Sequence, residues 1–387
     1  MGRSARDHPL RGGVRTPRPR GAPIPRRAAV SKRRVTVLRG GMATAGLVAA
    51  MAGVHALRRA GAKVLVPVAR DPYRGEDFSL IDSDRAGEVR ADDGVVLATR
   101  ECGPADAPVT VVFVHGFCNT MESFHFQRRH LEQRWGPQVR MVLFDLRGHG
   151  RSGAPEAQRC TVRQLGRDLV RVIEAKAPDG PLVLVGHSLG GMAVLAAAAQ
   201  YRALFEQRVA GVALLSTAAA EVASAGLGQL LRNPTLDGFR MAVHTAPALV
   251  QTGRMTAKHV IAPILHVSSF HGPVSPTLSR FATLMIDRTP VETIVKFLKA
   301  IELHDESAAL PVLADIPVLI MGGKHDLVIP FRNSRALARE LPEAELVELP
   351  EAAHMPQLQF ADLVDAALDR LLLRAGVVTG TPEVTGD

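Results

Sequence analysis

Cysteine is scarce in this chain of 387 residues. The three present, Cys102, Cys118 and Cys160, are odd in number and irregular in spacing. A disulfide scaffold is therefore excluded, and the three are expected to be buried, reduced thiols. Cys118 carries a second reading, as an oxidation sensor. Compact metal-ligand spacing is also missing, since the fourteen histidines form no HExxH pattern. No metal and no cofactor are expected. There is no internal repeat, and the composition, 47% hydrophobic and 22% charged, fits neither a collagen-like nor a mainly disordered chain.

Positive charge is plentiful only at one end. The net charge is +9, yet residues 1–34 hold eleven basic side chains and one acid, leaving 36 basic and 37 acidic side chains elsewhere. The near-neutral remainder has no broad field to steer it toward phosphates, so no nucleic-acid partner is expected. Binding to nucleic acid would fall to the leader alone. Residues 1–34, rich in Arg, Pro and Gly, read as a disordered basic leader.

Residues 40–57 form an uncharged run of 18 in which ten are Gly or Ala. At about 1.5 Å per residue the run roughly spans a thin bilayer. A membrane anchor, an export signal, an interfacial helix and a soluble helix compete for it. Arg33 and Arg34 loosely match a twin-arginine signal, and no cleavage site stands out. Residues 35–60 are assigned as an anchor or signal helix. A membrane-associated protein with a single N-terminal helix is the resulting expectation. More positive charge precedes the run than follows it, which favours a cytoplasmic N-terminus; the side on which the rest lies stays open. Residues 61–85 read as a connector.

From about residue 86 apolar strand-like runs alternate with amphipathic stretches. Strands are expected at 94–100, 109–114, 140–145, 182–185, 209–215, 317–321 and 344–348. Helices are expected at 121–135, 161–177, 189–207, 331–341 and 357–373. Unbroken apolar runs mark strands buried on both faces. The alternation predicts an α/β fold: a mostly parallel central sheet with helices on both faces. Residues 217–300 break the rhythm and read as a helical cap over the carboxyl edge of the sheet. The domain is placed at 86–376, with a flexible tail at 377–387.

Five motifs carry chemistry. Gly186-His187-Ser188-Leu189-Gly190-Gly191 follows a strand and opens a helix. That context turns a weak pattern into a nucleophile turn. Gly186 and Gly190 remove side chains that would collide there, leaving Ser188 exposed at the strand tip. In the His115-Gly116-Phe117 stretch, Gly116 lets the backbone turn the Phe117 N–H toward the site. With the Leu189 N–H it forms the expected oxyanion hole. His115 reads as structural, as does Asp145 in Asp145-Leu146-Arg147-Gly148-His149-Gly150-Arg151-Ser152. Asp326 lies just past one strand and His354 after the next. The chain order Ser188, Asp326, His354 is that of one version of the serine triad. His325, beside Asp326, is the competing base.

These five motifs in this order resemble the α/β-hydrolase fold superfamily, near its lipases, esterases and haloperoxidase-like hydrolases. The resemblance covers about residues 86–376 apart from the cap. It implies an α/β-hydrolase fold with a helical cap insertion. The first 85 residues lie outside it and look like leaders of some actinobacterial members. Superfamily members that cleave epoxides or haloalkanes use an aspartate nucleophile, and Ser188 stands there instead. The expected activity is hydrolysis of small-molecule esters with apolar, lipid-like acyl groups. The cap residues Leu230, Leu231, Met241, Leu249, Met255, Leu265, Phe270, Phe281 and Met285 suggest an apolar pocket. The same triad also serves thioesters, lactones, amides and C–C bonds, and a silent, membrane-anchored binding module is the alternative of another class. Acyl length and oligomeric state are not legible.

Overall fold

A computed structural model describes residues 66–67, 71–222, 265–266 and 268–380. Ten strands occur among them: β1 (Val66–Pro67), β2 (Arg85–Arg90), β3 (Val96–Cys102), β4 (Val109–Val114), β5 (Val139–Phe144), β6 (Leu182–His187), β7 (Val209–Leu215), β8 (Pro273–Val274), β9 (Val318–Gly323) and β10 (Glu345–Leu349). Eight form one sheet in the order β10-β9-β7-β6-β4-β5-β3-β2. β2 and β3 are antiparallel to their neighbours, and every other pairing in the sheet is parallel. β1 and β8 make a separate parallel pair.

The helices among the described residues are α1 (His125–Trp135), α2 (Val162–Lys176), α3 (Leu189–Gln200), α4 (Arg202–Arg208), α5 (Pro276–Arg288), α6 (Val291–Glu302), α7 (Leu310–Leu313), α8 (Arg332–Glu340), α9 (Pro356–Gln359) and α10 (Ala361–Arg374). Alternate residues of a strand point to opposite faces, and β4 shows what that does here. Val112 and Val114 enter the core shared with α2, α3 and α8. Val111 and Phe113 enter the core shared with α1 and α10. Every residue of β4 is buried as a result, which is why the sequence there is apolar on both faces but for Thr110.

Two expectations change. The helix expected over 189–207 is two, because Tyr201 leaves helical geometry at φ −128° and ψ 50°. The stretch read as connector reaches into an extra strand, β2, in which Val89 is the buried residue. Its exposed polar residues carry no apolar pattern that a sequence reading could follow. Upstream of β2, Tyr73 and Phe78 pack on Phe126, and Phe78 stacks on Phe281 of α5 at 4.0 Å. At the other end Val378 is buried. Segment 40–57, with the leader and much of the cap, lies outside the described residues. Among the described residues no helix is long and apolar enough to cross a membrane.

Arg147 secures the loop after β5. It is fully buried. Its Nε donates to Asp168 Oδ2 at 2.5 Å and its Nη1 to Asp93 Oδ2 at 2.6 Å. One guanidinium thus ties three segments: the β5 loop, helix α2 and the β2–β3 turn. Removing it strands two acids, one of them fully buried. Arg147→Ala should cost about 3–5 kcal/mol, measured as a lowered denaturant midpoint with an unchanged slope. A loss below about 1 kcal/mol would contradict this ion-pair account.

Candidate active site

The site begins with a turn that has no spare room. β6 ends at His187 and α3 begins at Leu189, so the chain reverses through Ser188 alone. Ser188 sits at φ 52° and ψ −117°, a region that costs a non-glycine residue about 1–3 kcal/mol. A Cβ on Gly190 would lie 1.9 Å from the Val114 carbonyl oxygen, and one on Gly186 would lie 2.6 Å from Gly191 Cα. Both glycines are therefore sterically required. The Ser188 N–H donates to Leu215 O, and Thr217 Oγ1 donates to Ser188 O at 2.7 Å. The strain is held from both sides.

The structure brings Ser188, His354 and Asp326 together. Ser188 Oγ lies 3.0 Å from His354 Nε2, and His354 Nδ1 lies 2.8 Å from Asp326 Oδ2. The other carboxylate oxygen, Oδ1, accepts the N–H groups of Val328 and Ile329, each at 2.8 Å. Asp326 is thereby fixed as an acceptor toward Nδ1. With the proton of a neutral imidazole on Nδ1, Nε2 would face the hydroxyl as an acceptor. Phe117 and Leu189 both line the pocket at Ser188. Among the described residues neither backbone amide has a hydrogen-bond acceptor. His325 does not approach Asp326 as a base would; its ring stacks on His271 at 3.6 Å.

The pocket wall is apolar. Met192, Leu265, Ile286, Leu298 and Ile329 contribute to it, with Asn119 and Ser269 as its polar members beside Ser188 and His354. Of the cap residues expected to form this wall, Leu265 does so. Phe270, Phe281 and Met285 instead pack with Phe126 and Met355 and hold the cap segment to the core. Leu230, Leu231, Met241, Leu249 and Met255 lie outside the described residues.

The alpha/beta hydrolase fold family matches residues 109–361. The chain belongs to that family. Among its relatives is the dihydrolipoyllysine-residue acetyltransferase component of an acetoin cleaving system from Pseudomonas putida. The two are 30% identical over 66% of this chain, which spans 61% of that relative's length. A monoacylglycerol lipase from Mycolicibacterium smegmatis is 27% identical over 59% of this chain and 73% of its own. A thermophilic esterase from Thermogutta terrifontis superposes with a TM-score of 0.59 at 24% identity, covering 76% of this chain and all of that one; that likeness shows the fold.

Sequence reasoning missed Asn119 and Ser269 in the wall of this alpha/beta hydrolase site, and it missed His187 beside it. His187, buried beside the nucleophile turn, places Nε2 2.8 Å from the backbone oxygen of His354. It ties the β6 tip to the loop that carries His354. Only its position next to Ser188 marked it in the sequence. Burial, and then His354 nearby, lower its pKa to about 3, so it is a neutral donor. His115 plays a similar part: its Nε2 accepts the Leu146 N–H and its Nδ1 faces Gly116 O. Asp145 accepts the N–H groups of Met121 and Arg151. Burial, and then Glu122, raise its pKa to about 7. Burial also pushes the Cys118 thiol far above the ordinary range. A thiolate is disfavoured there, which weakens the sensor reading.

Buried neutral histidines make this region acid-sensitive. Burial lowers the His149 pKa to about 4 from an ordinary 6.5. The unfolded chain then binds the extra proton between those values, so stability is retained above pH 6.5 and lost as pH falls toward 4. Its contribution to the slope is at most about 1.4 kcal/mol per pH unit. His149→Gln should flatten the fall in unfolding free energy between pH 6.5 and 4 relative to the parent. Parallel curves in denaturant titrations would contradict the assignment.

Proposed function

We propose that this chain is a serine hydrolase that cleaves carboxylic esters bearing apolar acyl groups. The observation that carries the proposal is the unbroken hydrogen-bonded line from Asp326 through His354 to Ser188, beside two amides with no acceptor among the described residues. In this reading His354 Nε2 takes the Ser188 proton as Oγ attacks the ester carbonyl. The Phe117 and Leu189 amides donate to the developing oxyanion; one such donor is worth about 3–4 kcal/mol in the transition state. Asp326 holds the tautomer and stabilises the imidazolium. His354 then passes the proton to the leaving alcohol. Water enters, gives a proton to His354 and attacks the acyl-enzyme, and His354 returns that proton to Ser188 Oγ as the acid leaves.

The pocket wall supports a neutral substrate. It presents no Lys, Arg, Asp or Glu among the described residues that line it, so a charged acyl group would lose hydration without gaining a partner. The relative described as a monoacylglycerol lipase is consistent with lipid-like esters. Segment 40–57 would hold such an enzyme at a membrane, where these substrates concentrate. Fractionation of the full chain and of a chain lacking residues 1–60 tests this: only the former should sediment with membranes.

Purified protein should hydrolyse p-nitrophenyl acyl esters. Ser188→Ala should lower kcat by roughly 10⁴–10⁶-fold, and Asp326→Asn by about 10⁴-fold with little change in fold. Equal rates in Ser188→Ala and the parent would remove the nucleophile assignment. Failure of a fluorophosphonate probe to label Ser188 would favour a silent binding module. Thioester and lactone substrates run beside the esters decide the reaction class.

A further inference from the structure

We propose that His271, His325 and Glu351 form a binding site for a divalent transition-metal ion of the zinc type, at the seam between the cap segment and the two loops that carry Asp326 and His354. One ligand atom from each of the three lies within 4.8 Å of the others. The two imidazole rings stack with centroids 3.6 Å apart and planes 13° apart, so the nitrogens are close, and binding requires the rings to turn until both in-plane lone pairs point at one ion. Glu351 is exposed, and one of its carboxylate oxygens lies within 4.8 Å of a ring nitrogen of each histidine.

The backbones beneath the two rings are fixed. Gln359 brackets His271, accepting its N–H and donating to its carbonyl oxygen. The His325 N–H donates to Ala352 O. The backbones at His271 and His325 are therefore already ordered, and little of that order remains to be lost on binding. Two imidazoles and a carboxylate suit zinc and its neighbours in the first transition row; magnesium and calcium take oxygen ligands. Three protein ligands leave a fourth position for water. Histidines and a glutamate so far apart in the chain give no spacing motif, which is why a search for compact ligand patterns passes over them.

The consequence is mechanical. His271 belongs to the cap segment, His325 precedes Asp326, and Glu351 lies in the loop that leads to His354. An ion held by all three clamps the cap to both loops and stabilises the native state by mass action. The site stands whether or not the chain hydrolyses esters.

The test is Co²⁺ titration of the full chain after treatment with chelator, followed by visible absorption and thermal melting. The expected result is one saturable Co²⁺ with a four-coordinate spectrum, displaced by Zn²⁺ and not by Mg²⁺, with a raised Tm. Glu351→Gln, at an exposed position, should weaken binding by roughly tenfold or more, and the His271→Ala/His325→Ala double variant should lose both the spectrum and the rise in Tm. Circular dichroism of the metal-free variants checks that each is folded. No saturable binding by the parent would overturn the site, as would an unchanged spectrum in the double variant or equal competition by Mg²⁺.

Discussion

The contact between Gly190 and the carbonyl of Val114 sets the geometry of everything around Ser188. There is no room for even a methyl group at that point. The first turn of α3 can therefore sit directly against the end of β4, and the loop after β4 carries Phe117. Close packing brings Phe117 and Leu189, from elements far apart in sequence, to line one pocket with Ser188. The cost is the strained φ of Ser188. The hydrogen bonds from Ser188 N–H to Leu215 and from Thr217 to Ser188 O hold that conformation. Strain at a single residue is sustained by a rigid parallel sheet on one side and a helix on the other.

The same logic extends outward. Asp326 and His354 leave adjacent strands, β9 and β10, at the same edge of the sheet as Ser188. Their loops are not left to find one another. Asp326 is held by two amides of its own turn, and the His354 backbone is held by His187. The imidazole is placed from its carboxylate side and from its backbone at once. In the proposed reaction the transfer of the Ser188 proton to His354 needs this, because a small error in heavy-atom position weakens it.

Much of this arrangement was legible in the sequence, for identifiable reasons. Strands buried on both faces leave unbroken apolar runs, so β4 through β7 stood out. The turn glycines stood out because steric exclusion demands them. Asp326 and His354 were marked by lying just past strand ends in the right order. What stayed hidden depends on geometry that leaves no periodic trace. β2 is an edge strand with a mostly polar pattern. The break at Tyr201 interrupts one helix within an unchanged apolar rhythm. Phe270, Phe281 and Met285 look like pocket residues by composition, yet they pack against Phe126 and Met355. Apolar character alone does not distinguish a wall that faces substrate from one that faces the core.

His187 shows most clearly where sequence reasoning stops. Between Gly186 and Ser188 it carried no reading of its own in the sequence. In the fold it is a buried neutral donor with one bond, to the oxygen of His354, and an Nδ1 that has no partner among the described residues. An unsatisfied buried nitrogen costs free energy, and an apolar residue there would avoid that cost. It would also surrender the tie between the nucleophile turn and the loop of its base. Burial keeps the ring uncharged, so the tie is a single hydrogen bond whose donor does not titrate near neutral pH. The tie to the His354 loop therefore does not depend on a proton that His187 could gain near neutral pH.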